Sequence, residues 1–168
     1  MARLELRTFI RAPRERVWDI ISDLAGQARW MVDVRHLEIV SAARSGAGTV
    51  IKTTSDLFGL PLVRDVMEIT AWEPPYRFEV RHRGQFHGTG AFILEPAAGG
   101  TVFIWQEEFQ PPLGPAGELG WRLIVGPHVR RVFARSMDNV RRLAEEAAAP
   151  EASARTGRGA AEEAGGGR

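Results

Sequence analysis

The sequence contains no cysteine, which excludes disulfides, thiolate nucleophiles and cysteine-ligated zinc together. It contains no run of about 18 apolar residues, so no segment is expected to span a membrane. Its first residues, Met1 to Glu5, are charged and strand-like, with no apolar signal segment. Excess charge of either sign is also missing. The net charge is +1, too little for a global field that would recruit nucleic acid. There is no Gly-rich phosphate loop, no Gly-x-Ser-x-Gly turn and no His-Glu-x-x-His. A catalytic triad is not evident. The expectation is a cytoplasmic protein with no metal, no cofactor, no nucleic-acid partner and no stable membrane insertion. Its oligomeric state stays open.

Leucine, isoleucine, valine and aromatics are all missing from Pro150 to Arg168. Such a segment buries too little apolar area to offset the entropy of ordering it. Residues 149–168 are therefore expected to be a disordered tail rich in Ala, Gly, Glu and Arg, and residues 1–148 to be one domain. Hydrophobic residues make up 44% of the chain, enough for a real core.

Within that domain Leu4, Leu6, Thr8 and Ile10 alternate with charged residues, which predicts a half-buried strand. Ala12-Pro13 then opens a helix carrying Val17, Ile21 and Leu24 on one face. A second short helical turn follows at Gln27 to Met31. Strands are predicted at about His36–Ala42, Gly48–Asp56, Val63–Trp72, Tyr76–Arg83, Gln85–Glu95 and Thr101–Gln110, separated by Gly and Pro turn signals. From Pro115 to Glu146 the period becomes helical, with Val125, Val129, Val132, Phe133, Ser136, Met137, Val140 and Leu143 as the inner stripe. The fold class is α+β: a curved antiparallel sheet of about seven strands wrapped round a long C-terminal helix, with two short helices after strand 1. A sheet that curls round a helix without closing on it leaves a cavity suited to an apolar ligand.

Two segments carry a family resemblance. One is Ile10-Arg-Ala-Pro-Arg-Glu-Arg-Val17-Trp18 through Asp23, followed by Trp30. The other is Ile69-Thr-Ala-Trp72-Glu-Pro-Pro75-Tyr76-Arg-Phe78, then Leu94-Glu-Pro and Gly99-Gly-Thr101 through Trp105. Over about residues 3–146 the chain resembles the SRPBCC superfamily, the START-like helix-grip proteins that include polyketide cyclase/dehydrases and lipid-transfer domains. The resemblance implies binding of a lipid-, polyketide- or isoprenoid-like molecule in an internal cavity. The alternative it implies is a polyketide cyclase, dehydratase or aromatase acting on a substrate held there. The segment Trp105-Gln-Glu-Glu-Phe109 is similar to aromatic polyketide aromatase/cyclases. Their proposed catalytic arginine, tyrosine and asparagine would fall at Ile69, Val34 and Ser136, of which two have no polar head.

The expected ligand-binding residues are Trp30, Phe78, Phe92, Phe103, Trp105, Phe109, Trp121 and Val132, flat rings and apolar groups for a cavity wall. Glu107, His128 and Ser136 are the candidate catalytic residues. Glu107 faces inward if Phe103, Trp105 and Phe109 do, since alternate residues share a strand face. Arg64, Arg77 and Arg81 are its possible partners. His82 and His87 would sit opposite each other if the turn between them has two residues, and could join Glu107 in a metal or acid/base site. Plain hairpin polarity is the favoured reading, since the spacing matches no metal motif. The apolar Leu57–Leu62 segment and the Pro111–Pro115 stretch are expected as two rims of a portal.

Overall fold

The computed structural model describes residues 2–84, 87–110 and 114–164, with Phe109, Pro115, Ala116 and 149–164 described by their backbone alone. Seven strands form one antiparallel sheet: β1 (Ala2–Ile10), β2 (Val34–Ile39), β3 (Val50–Leu57), β4 (Leu60–Glu73), β5 (Arg77–Arg83), β6 (His87–Ala97) and β7 (Gly100–Phe109). Their order across the sheet is β1-β7-β6-β5-β4-β3-β2. Sequential hairpins run from β2 to β7, and β1 closes the far edge. Short connections between successive strands from β3 to β7 leave antiparallel pairing as the direct solution. Register shifts at Val34/His36, Ser55/Leu57 and Ile69/Ala71 insert single residues into the ladders, which bends the strands they occur in.

Helix α1 (Arg14–Ser22) buries Val17, Trp18 and Ile21. A 3₁₀ turn at Gln27–Arg29 follows, and Asp23 joins the two by accepting a 3.0 Å hydrogen bond from the Gly26 N–H. The long predicted helix is divided. Helix α2 (Gly114–Gly120) passes through one π-helical stretch, Trp121–Val125, into α3 (Gly126–Ala164). Among the described residues no helix is long and apolar enough to cross a membrane.

One core joins these elements. Ile10, Trp18, Trp30, Ile51, Ile69, Phe78, Phe92, Phe103 and Trp105 pack with Met137, Val140 and Ala144 of α3. Met137, Val140 and Ala144 recur at helical spacing, so their half of α3 lies flat on the core. Val132 and Phe133, expected to be buried, are only half-buried, because they mark where the helix leaves the core. Two polar ties fix α3 to the segment after the 3₁₀ turn. Ser136, fully buried, accepts a 3.1 Å bond from the Val32 N–H and donates one to the Val132 carbonyl. Asn139 Nδ2 donates to the Trp30 carbonyl at 3.0 Å.

Ala148 is the last described side chain packed against the core, although the helical backbone continues to Ala164. Truncation after Ala148 is therefore expected to leave the melting temperature within about one or two degrees, because the removed residues carry little apolar surface. A thermal melt of the shortened chain checks this, and a large drop would show that the segment docks on the body.

Candidate functional site

Where α3 rises off the sheet, a cavity of about 490 Å³ opens. Its floor is sheet: Ile51 and Thr53 from β3, Met67 from β4, Phe78 and Val80 from β5, Phe92 from β6 and Trp105 from β7. Its roof is helix: Gly117, Gly120, Trp121, Val125, Val129 and Phe133. Glycine at 117 and 120 keeps the roof thin. Phe133 stacks on Trp105 with ring centroids 4.0 Å apart and planes within 10°, and this contact ends the cavity on the core side.

At the mouth, Leu57 to Leu60 forms a tight hairpin tip. Phe58 (φ 55°) and Gly59 (φ 81°) both adopt left-handed backbone, as a two-residue turn matching sheet twist requires. The tip is held to α3 by His128, whose Nε2 accepts a 3.4 Å bond from the Phe58 N–H and whose ring lies 4.3 Å from the Phe58 ring. Phe58, Leu60, Leu62, Leu119, Leu123 and Ile124 are exposed and give the rim an apolar surface. The other expected rim, at residues 111–113, lies outside the described residues.

One wall of the cavity is polar. His82 Nδ1 bonds Asp65 at 2.5 Å and His82 Nε2 bonds Glu107 at 3.1 Å. Glu107 also accepts from Trp105 Nε1 at 2.9 Å. Asp65 is held in turn by the backbone N–H groups of Val66 and Gly84, at 2.9 and 3.0 Å. The chain runs from β4 through β5 to β7, across β6. It can cross β6 because Gly88 and Gly90 stand opposite His82 and Glu107 in the register. A Cβ at Gly90 would meet the Glu107 carboxylate at 2.7 to 3.0 Å, and one at Gly84 would lie 2.7 Å from the Asp65 Cα. Both glycines are required by close approach.

Of the expected ligand-binding residues, Phe78, Phe92, Trp105 and Trp121 line the cavity. Trp30 and Phe103 lie in the core behind the wall, and Val132 is placed beside the lining. The side chain of Phe109 lies outside the described residues. Glu107 lies on the cavity wall. Its partners are His82 and Trp105, not the three arginines considered. Ser136 is consumed by backbone ties, and His128 serves the hairpin tip. His82 and His87 are not opposite each other: His82 pairs with Gly88 and His87 with Arg83, because the connecting loop has three residues, so the two rings take opposite faces. Asp65, Asp33 and Phe133 are lining residues absent from the sequence-based site. The signal for Asp65 and His82 was the Gly88-Thr89-Gly90 step inside a strand, which marks a side chain passing close over the backbone.

A family model described as polyketide cyclase / dehydrase and lipid transport matches residues 1–145. No curated protein matches the chain. Solved structures share the fold. The crystal structure of TTHA0849 from Thermus thermophilus is 23% identical, with a TM-score of 0.74 over 87% of this chain and 99% of that one. The Aha1 dimer from Colwellia psychrerythraea is 16% identical, TM-score 0.61, covering 86% and 97%. Ara h 8.0201 is 18% identical, TM-score 0.58, covering 83% and 97%.

Two groups of the site hold their protons more tightly than usual. For His82, burial disfavours the imidazolium, but the hydrogen bonds to Asp65 and Glu107 outweigh it and push the pKa up to about 10. For Asp33, burial is the largest cause and raises the carboxyl from 3.8 to about 6, with Asp56 and Glu107 adding repulsion. Both shifts mean that the folded state holds its proton more tightly than the unfolded chain. The corresponding stability is present below the unfolded pKa and lost as pH rises through the folded one. Asp33→Asn should therefore stabilise the protein above pH 6, by roughly 3 kcal/mol, and little below pH 4. For His82→Gln the loss of stability should be greatest below pH 6.5 and shrink as pH approaches 10. Urea unfolding of parent and variants across pH checks both signs.

Proposed function

The chain belongs to the polyketide cyclase / dehydrase and lipid transport family, and we propose that it binds an apolar small molecule, lipid-, polyketide- or isoprenoid-like, in the cavity between sheet and α3. The observation that carries this reading is the cavity itself. About 490 Å³ of space lies against the rings of Phe78, Phe92, Trp105, Trp121 and Phe133, in the size range of small-molecule sites. A core built only for stability closes such space, since voids forfeit dispersion contacts. The exposed apolar rim around the mouth supports the same reading, because it gives an apolar ligand a path that avoids water.

A second reading is a cyclase or dehydratase, and the Asp65–His82–Glu107 chain favours it. A carboxylate backed by an imidazolium on an apolar wall is a group that can move a proton at a bound molecule. Under this reading Glu107 is the residue that touches substrate, and His82 and Asp65 position it. Glu107→Gln would then abolish turnover of a polyketide-like substrate while probe binding persists. Under the binding reading the same variant alters affinity only modestly, and the parent returns such a molecule unchanged.

The binding reading predicts the effect of removing the largest ring from the floor. Trp105→Ala is expected to weaken binding of a polarity-sensitive apolar dye by about ten- to a hundredfold, roughly 1–3 kcal/mol. The protein should remain folded with some loss of stability, since the indole also supports Phe133. A fluorescence titration alongside a circular-dichroism melt separates the two effects. A parent protein without saturable dye binding would remove the basis of the reading.

A further inference from the structure

The charges on the cavity wall are mostly of one sign. Among the described residues, the lining includes four carboxylates, Asp33, Asp56, Asp65 and Glu107, one imidazole, His82, and no lysine or arginine. Asp56 is paired outward with Arg35 at 2.5 Å. Asp65 is saturated by His82, Val66 and Gly84. One imidazolium therefore stands between two carboxylates, a surplus of negative charge. Asp33 adds to it: its Oδ1 is buried with no hydrogen-bond partner, and it lines the same cavity as Glu107, near enough to feel its charge. Buried negative charge is costly unless a cation or several donors meet it. The described residues supply no second cation on that wall.

The neighbouring rings supply a matching feature. Trp105 holds Glu107 through its N–H, and the rings of Phe92 and Trp121 line the same cavity. Aromatic faces beside carboxylates are the environment in which proteins hold ammonium groups, by ring quadrupole and ion pairing together. An incoming carboxylate or phosphate meets like charge and no arginine, which is a repulsive element in specificity.

We infer that the cavity selects apolar molecules bearing a cationic ammonium group, which Glu107 and Asp33 receive, over molecules of the same shape ending in a carboxylate. This rests on the reading that the cavity binds an apolar small molecule, and it names the class. A neutral alcohol donates one hydrogen bond but leaves the surplus charge, so it falls between the two.

The test is displacement of a polarity-sensitive dye from the full-length protein by decylamine, decanol and decanoate at neutral pH. The expected order is amine, alcohol, carboxylate, with the amine about tenfold or more ahead of the alcohol. Asp33→Asn and Glu107→Gln should each narrow the gap between amine and alcohol, with the larger loss falling on the amine. Should Glu107→Gln fail to fold, Asp33→Asn decides alone, since Asp33 stands outside the His82 chain. Equal displacement by all three probes, or decanoate in first place, overturns the inference and leaves the cavity reading intact. An amine preference that the folded variants retain overturns the assignment to these carboxylates. Absence of saturable dye binding by the parent overturns both readings.

Discussion

The stack of Phe133 on Trp105 divides the molecule. On one side of it Met137, Val140 and Ala144 of α3 lie on the core with no exposed surface to speak of. On the other side the same helix is held off the sheet, and Val129, Val125 and Trp121 face open space. Two flat rings 4.0 Å apart form a spacer of fixed thickness, since neither can interdigitate with the other. Ser136 and Asn139 lock the helix one turn further on, through bonds to Val32 and Trp30. The cavity is thus a consequence of where the helix is pinned and what stands between it and the sheet.

The polar wall depends on a different constraint, the two glycines on one face of β6, Gly88 and Gly90. His82 and Glu107 belong to strands that are not neighbours. A hydrogen bond between them has to pass over the strand between, and Gly88 and Gly90 leave the room. Glycine costs conformational entropy inside a strand, and here that cost is offset by a charged chain running from Asp65 to Trp105. The chain holds Glu107 with its carboxylate oriented on the wall, and it holds the imidazolium against the desolvation that would otherwise discharge it. Binding and proton transfer both draw on this wall, and they differ in whether Glu107 only receives a ligand group or also exchanges a proton with it.

The roof has its own local reason. The predicted single helix from Pro115 is broken into α2, a π-helical stretch and α3. The Gly126 N–H reaches back to the Trp121 carbonyl, and a Cβ on Gly126 would lie 2.9 Å from that oxygen. The wider turn leaves Trp121 and Val125 on the cavity while Leu119, Leu123 and Ile124 face outward. Periodicity read at 3.6 residues per turn did not register the stretch, because the inner stripe from Val125 to Leu143 begins only at its last residue.

The alternation of Leu4, Leu6, Thr8 and Ile10, the Gly and Pro turns and the helical stripe through Met137 and Val140 were sufficient to derive seven antiparallel strands and a long last helix. These are local patterns, and each reports which face of its own element is dry. The same parity put Trp105 and Glu107 on one face of β7. What it could not decide was which dry residues border space and which border other residues. Trp30 and Phe103 look like Phe92 and Phe78 in sequence, yet they fill the core while the others face the cavity, because that distinction depends on the helix's distance from each strand. It joined His82 to Glu107 only as the alternative to plain hairpin polarity and on condition of a two-residue turn, whereas the bond depends on register across three strands and a three-residue connection. Sequence alone therefore determined the elements and their inward faces, through periods of two and 3.6 residues. Only the tertiary structure decided the cavity and its acidic wall, because both arise from distances between elements far apart in the chain.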